Sequence, residues 1–156
     1  MLDKIRRAKL RYKILSLFLF AVIIAVLVLC MTDRTSHLKK KNNGFVGRFE
    51  VTYSITGRLK KITYTDSVKL RRLFATQEEG DKWCEKIKKK VRRNSGKYLI
   101  STEKTYNHKT REIKSKYVFD ATKISKAEAK KRFLLDELTI DDFKLKYENV
   151  GYKEIT

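Results

Sequence analysis

From Ile14 to Met31 the chain runs eighteen residues without a charge, "ILSLFLFAVIIAVLVLCM", with basic residues on both sides. As a helix rising about 1.5 Å per residue, this run would extend about 27 Å, close to the thickness of a bilayer's hydrocarbon core. A helix of that length in a soluble core keeps a polar face, and here only Ser16 breaks the apolar character. The run predicts a transmembrane helix or signal-anchor over residues 14–31, after a basic cytoplasmic segment at residues 1–13. Cleaved secretory signals have shorter apolar regions and end in small residues, whereas Leu27-Val28-Leu29-Cys30 offers no such site. A lipoprotein signal also ends in cysteine but wants a small residue before it, and Leu29 is bulky. A retained anchor is therefore expected, with lipidation of Cys30 as the alternative.

Basic residues flank the run closely on both sides, and a long trailing domain translocates largely regardless of charge. The expected placement is the cell membrane, single-pass, with the N-terminus cytoplasmic and the C-terminal domain extracytoplasmic. Of 156 residues, those beyond the run suffice for one small domain with a modest core. Net charge is +20, and all but the +5 of residues 1–13 lies beyond the run. Such a balance points to an anionic partner: nucleic acid, headgroups or an acidic polymer. The plain alternative is a Lys-rich surface that keeps a small domain soluble.

Residues 32–44, "TDRTSHLKKKNNG", are polar and end in Asn-Asn-Gly, which reads as a linker before a domain at residues 45–156. Phe49, Val51, Tyr53 and Ile55 then alternate with polar residues, Gly57 marks a turn, and Ile62 and Tyr64 lie on a return strand. Thr76 and Glu79 form a capping box for a helix carrying Trp83, Cys84, Ile87 and Val91. Acids crowd its start and bases its end, as the helix dipole favours. The pattern repeats: Tyr98, Ile100 and Tyr106 on one arm, a turn near Asn107, Ile113, Tyr117 and Phe119 on the other. Ser125 and Glu128 cap a second helix over about residues 126–138. Thr139 caps a short third helix, and "GYKEI" reads as a last edge strand. The expectation is an α+β domain of two tandem ββα units, forming an antiparallel sheet of about four strands with helices on one face.

The order of a lipid-anchor-like N-terminus, the hairpin "FEVTYSITGRLKKITYT", the helix "TQEEGDKWCEKI", a second hairpin and the terminal "GYKEI" resembles the YehR-like family of small bacterial lipoproteins. The resemblance covers residues 48–155. It implies a bacterial, envelope-exposed domain without an assigned activity, and it favours lipid at Cys30. It brings no catalytic residues.

Catalytic motifs are not assembled by this sequence. Ser101 and Lys104 match S-x-x-K, but in a strand that odd spacing sends them to opposite faces. Ser36 and Lys39 match it within the expected linker. Gly44-Phe-Val-Gly47 precedes a strand rather than joining helices, so it does not read as a nucleic-acid clamp. Asp141-Asp142 suits a helix N-terminus. His37 and His108 stand alone, Cys84 is remote from Cys30, and no cluster has metal-ligand spacing, so neither metal, cofactor nor disulfide is expected.

The expected function is a membrane-anchored, envelope-facing, non-enzymatic domain that binds a protein partner or an anionic surface. Its contact residues would be Lys86, Lys88, Lys89, Lys90, Arg92 and Arg93, helped by Lys39, Lys40 and Lys41. Two alternatives stand beside it. One is a membrane-tethered nucleic-acid-binding domain facing the cytoplasm, and the other an accessory subunit of a secretion or conjugation apparatus.

Overall fold

The computed structural model describes residues 17–28, 31–70 and 74–155. The chain divides into two units, Met1–Asp33 and Arg34–Thr156. In the first, residues 17–28 are helical. No helix among the described residues is long and apolar enough to cross a membrane. That finding corrects the expected transmembrane helix over residues 14–31, and with it the single-pass cell-membrane placement. Residues 1–13, expected as a cytoplasmic segment, and Leu29 and Cys30 lie outside the described residues.

The second unit is α+β. Its strands are β1 (Arg34–Asn42), β2 (Phe45–Tyr53), β3 (Leu59–Lys69), β4 (Leu99–Asn107), β5 (Glu112–Asp120) and β6 (Lys153–Ile155). They form one six-stranded antiparallel sheet in the order β4-β5-β3-β2-β1-β6. Helix α1 spans Gln77–Ser95, α2 is the short Lys126–Glu128 running on into a π-helical turn at Ala129–Phe133, and α3 spans Ile140–Asn149.

Two differences from the sequence reading change the architecture. Residues 34–42, expected as linker, form β1, so the expected first hairpin is a three-stranded meander of β1, β2 and β3. Ser36 and Leu38 face the core while Thr35 and His37 are exposed, and Gly44, at φ 74°, turns the chain into β2. Leu38 is the one large apolar residue in that strand, which is why alternation gave no signal. The second expected helix is also cut short. Its Ser125–Glu128 capping box forms, but Leu134 enters the left-handed region at φ 59° and ends the turn.

Register explains the one-sided core. Leu38, Phe49 and Tyr64 lie side by side across β1, β2 and β3, and Tyr117 continues the row on β5. On that same face Phe143 of α3 meets Phe49 edge-on at 5.2 Å, and Cys84 of α1 packs with Tyr106 and Ile113. The helices thus cover one face, as expected of a sheet whose strands alternate apolar and polar. Thr76 and Thr139 cap α1 and α3, their hydroxyls accepting from Glu79 N–H and Asp142 N–H.

Helix α1 comes closest to the sheet at Gly80, where a Cβ would lie 1.9 Å from Cδ1 of the buried Tyr106. Gly80→Ala is expected to lower stability by about 1–3 kcal/mol through overpacking, read from the midpoint of urea unfolding. An unchanged midpoint would show that the helix rides higher than described.

Tyr64, Tyr147 and Tyr152 gather around Phe49. Burial pushes the Tyr147 phenol up to about 12. Burial, then the hydrogen bond and charge of Tyr152, raises Tyr64 as well, and burial raises Tyr152. These phenols stay neutral in the fold beyond the ordinary value of 10.0, at which the unfolded chain ionises. Stability from this cluster is therefore complete below about pH 10 and lost as pH rises toward 12. Denaturant titrations from pH 8 to 12, followed by tyrosinate absorbance, should show the midpoint falling only over the upper part of that range.

Candidate anion-binding surfaces

Helix α1 buries Gly80, Cys84 and Ser95 and half-buries Ile87 and Val91. That leaves Lys86, Lys89, Lys90 and Arg93 exposed at i, i+3, i+4 and i+7, a single stripe on the outer face. None of the four makes an ion pair with a described residue. Lys88 differs: its side chain is 20% exposed and pairs with Glu85, whose carboxyl it holds below the usual range. Arg92 is exposed beside the stripe.

The fold adds a second basic segment that sequence spacing did not connect to the first. The Arg132 guanidinium donates to the Asn94 carbonyl at the end of α1 and lies 5.5 Å from the centre of the Tyr98 ring. This brings the π-helical turn, with exposed Lys130 and Lys131, against the C-terminal end of the stripe. Lys130 is tied to Asp136 at 3.4 Å, while Lys131 and Lys97 are exposed and unpaired among the described residues. The last backbone carbonyls of α1 and the Tyr98 ring explain Arg132. They do not account for the bare stripe.

Lys39, Lys40 and Lys41 are not part of this surface. They sit on β1, separated from β4 under α1 by three other strands, about 19 Å at ~4.8 Å per strand. Lys40 points to the helix-covered side, donating to the Val150 carbonyl at 2.6 Å and standing 5.9 Å from the Tyr152 ring centre. Lys39 and Lys41 point to the opposite, helix-free face. There the register aligns Lys153, Lys39, Arg48, Thr65, Lys116 and Glu103 in one row across all six strands. The next row holds Lys41, Val46, Ser67, Lys114 and Thr105. A shallow trough of about 570 Å³ lies over the middle of these rows, lined by Arg48, Thr65, Ser67, Thr105, Lys114 and Lys116 among others. Arg48, Lys114, Lys116 and Lys153 were not singled out from the sequence, although they occupy the polar positions of alternating strands.

The candidate catalytic motifs stay apart. Ser101 lies on the helix-free face, opposite Val118, whereas Lys104 lies under α1, donating to the Ser115 hydroxyl at 2.7 Å. Ser36 is buried and donates to Glu154 at 2.5 Å, and Lys39 faces away from it. Gly47 sits beneath Tyr152 inside β2, where a Cβ would be 2.6 Å from the phenol oxygen. The Asp142 carboxylate accepts from the backbone of Asp136 and Glu137 at 2.7 and 2.9 Å, a loop-fastening role at the start of α3. Cys84 is 2% exposed and burial raises its thiol, so it is held protonated and enclosed.

No family model and no curated protein sequence matches the chain. Among solved structures, the NMR structure of the E. coli YehR protein is similar, with a TM-score of 0.58 at 12% identity over 80% of this chain and 91% of that one. At that identity the likeness is one of fold: the chain has a YehR-like α+β architecture.

Proposed function

We propose that this chain is a non-enzymatic binding domain that docks an acidic protein partner on the outer face of α1. The observation that carries the reading is the stripe Lys86, Lys89, Lys90 and Arg93, exposed and without ion pairs, extended by Lys97 and Lys131 across the Arg132–Asn94 contact. A surface built only for solubility intersperses both signs, as the first turns of α1 do where Glu78 pairs with Lys82 at 2.8 Å. The C-terminal half of the helix does not. Base stacking finds no platform: every described aromatic residue of the second unit is buried or half-buried, which weighs against nucleic acid as the partner. The separated Ser101 and Lys104 and the enclosed Cys84 support the absence of catalysis.

A labelled polyglutamate peptide is a suitable probe for anisotropy titrations. Reversing Lys86, Lys89, Lys90 and Arg93 to glutamate is expected to weaken binding at least tenfold, about 1.4 kcal/mol. Affinity should fall steeply with salt. Reversal of Lys39 and Lys41, on the far side of the sheet, should leave it within about twofold, since separated sites act independently. Equal weakening by both sets would reduce the effect to net charge and end the proposal.

The lipoprotein character of the family that the sequence resembles enters this proposal at Cys30 alone. Mass analysis of the protein from its native host should find a chain beginning at an acylated Cys30. A chain beginning at Met1 would remove the lipid from the reading.

A further inference from the structure

The helix-free face carries a charge arrangement that the fold itself does not require. Lys153, Lys39 and Arg48 stand directly opposite one another on β6, β1 and β2. Like charges directly opposite on neighbouring strands are destabilising. An edge strand gains from a lysine that blocks pairing with other chains, which accounts for Lys153 on β6. Arg48 and Lys116 lie on interior strands, where that reason does not apply. None of Lys39, Arg48, Lys116 and Lys153 makes an ion pair with a described residue.

The acidic side chains on this face do not cancel the row, and Asp66, which also lines the trough, alternates to the covered side of β3 beside Gly47. Glu103 faces Lys116 across the β4–β5 ladder without closing an ion pair. Glu50 is two residues beyond Arg48 on the same face and likewise unpaired. Glu112 is engaged by the Ser67 hydroxyl and by Lys114 at 3.5 Å, which holds its carboxyl below the usual range. The trough floor between Arg48 and Lys116 is Thr65, with Ser67 beside it, and Val46 is the one apolar side chain facing the trough. The Thr65 hydroxyl therefore lies between Arg48 and Lys116, while Ser67 is engaged with Glu112, and no aromatic ring is on the lining.

We infer that this trough is a second binding site, distinct from the α1 surface, for a compact, ring-free ligand bearing phosphate groups. A phosphate presents several acceptor oxygens and up to two charges, so one group can neutralise adjacent cations together, and Arg48 can grip it with two parallel donors. A single carboxylate balances only one of the four cations in the row. A second phosphate on the same ligand would reach Lys116 across the Thr65 hydroxyl. At about 570 Å³ the trough holds a small ligand rather than a protein surface.

Calorimetric titration of the full chain with sodium tripolyphosphate tests this. Saturable one-to-one binding is expected, weakened at least tenfold by Arg48→Glu and by Lys116→Glu, and unchanged by Lys89→Glu/Lys90→Glu. If either reversal disturbs folding, Arg48→Gln and Lys116→Gln serve in its place. A second readout needs no ligand: at low salt, Arg48→Thr should raise the thermal midpoint by relieving the Lys39–Arg48 opposition. Absence of saturable binding, or equal loss on substitution of α1, would each overturn the assignment. So would a lowered midpoint for Arg48→Thr. None of these results bears on polyglutamate docking at α1, so the two sites stand or fall separately.

Discussion

Phe49 is enclosed by four rings, those of Tyr64, Phe143, Tyr147 and Tyr152, at centroid distances of 4.4 to 5.2 Å. The four rings arrive from three parts of the chain: a neighbouring strand, one helix at two positions, and the segment leading into the edge strand. Fully burying an aromatic of this kind contributes on the order of 1.5–3 kcal/mol, with more from tilted and edge-on ring geometry. The cluster therefore decides which side of the sheet the helices take. Once α3 is seated there, alternation leaves every second residue of β1, β2, β3 and β5 facing water, and the helix-free face follows from that one choice.

The two sides then divide the polar chemistry. On the covered side, cations are used up locally: Lys144 pairs with Glu154 at 2.6 Å, Lys40 with the Val150 carbonyl, and Lys104 with Ser115. On the open side Lys39, Arg48, Lys116 and Lys153, and along α1 Lys86, Lys89, Lys90 and Arg93, make no ion pair with a described residue. Unpaired cations grouped on two surfaces are more informative than the total of +20.

Much of this fold could be read from the sequence because its signals were strong and local. Both hairpins have aromatic and branched residues in clear alternation, and Thr76, Ser125 and Thr139 sit where caps belong. What escaped had a physical cause. Strand β1 has a lone large apolar residue, Leu38, because its inward positions near the edge meet Ser36 and Lys40, both satisfied by polar partners. The apolar run at residues 14–31 met a length criterion in sequence, whereas no helix among the described residues is long and apolar enough to cross a membrane. Of the binding surfaces, the α1 stripe was visible as a charge run, although Lys88 within it is committed to Glu85. The row on the open face was invisible, because it is assembled from strands that are neighbours only after pairing.

The edge strand β6 has consequences for the order of folding. It is three residues long, and its attachment rests on the Ser36–Glu154 hydrogen bond, which joins positions 118 apart in sequence, and on Lys144 beside it. Contacts this distant carry the largest loop-closure cost and form late. While the chain is being made, the outer edge of β1 stays open until residues 153–155 emerge, a nascent sheet with an unpaired margin. The lysines along β1 then do a service unrelated to any ligand: they keep that margin from pairing with a neighbouring chain before its own last strand arrives.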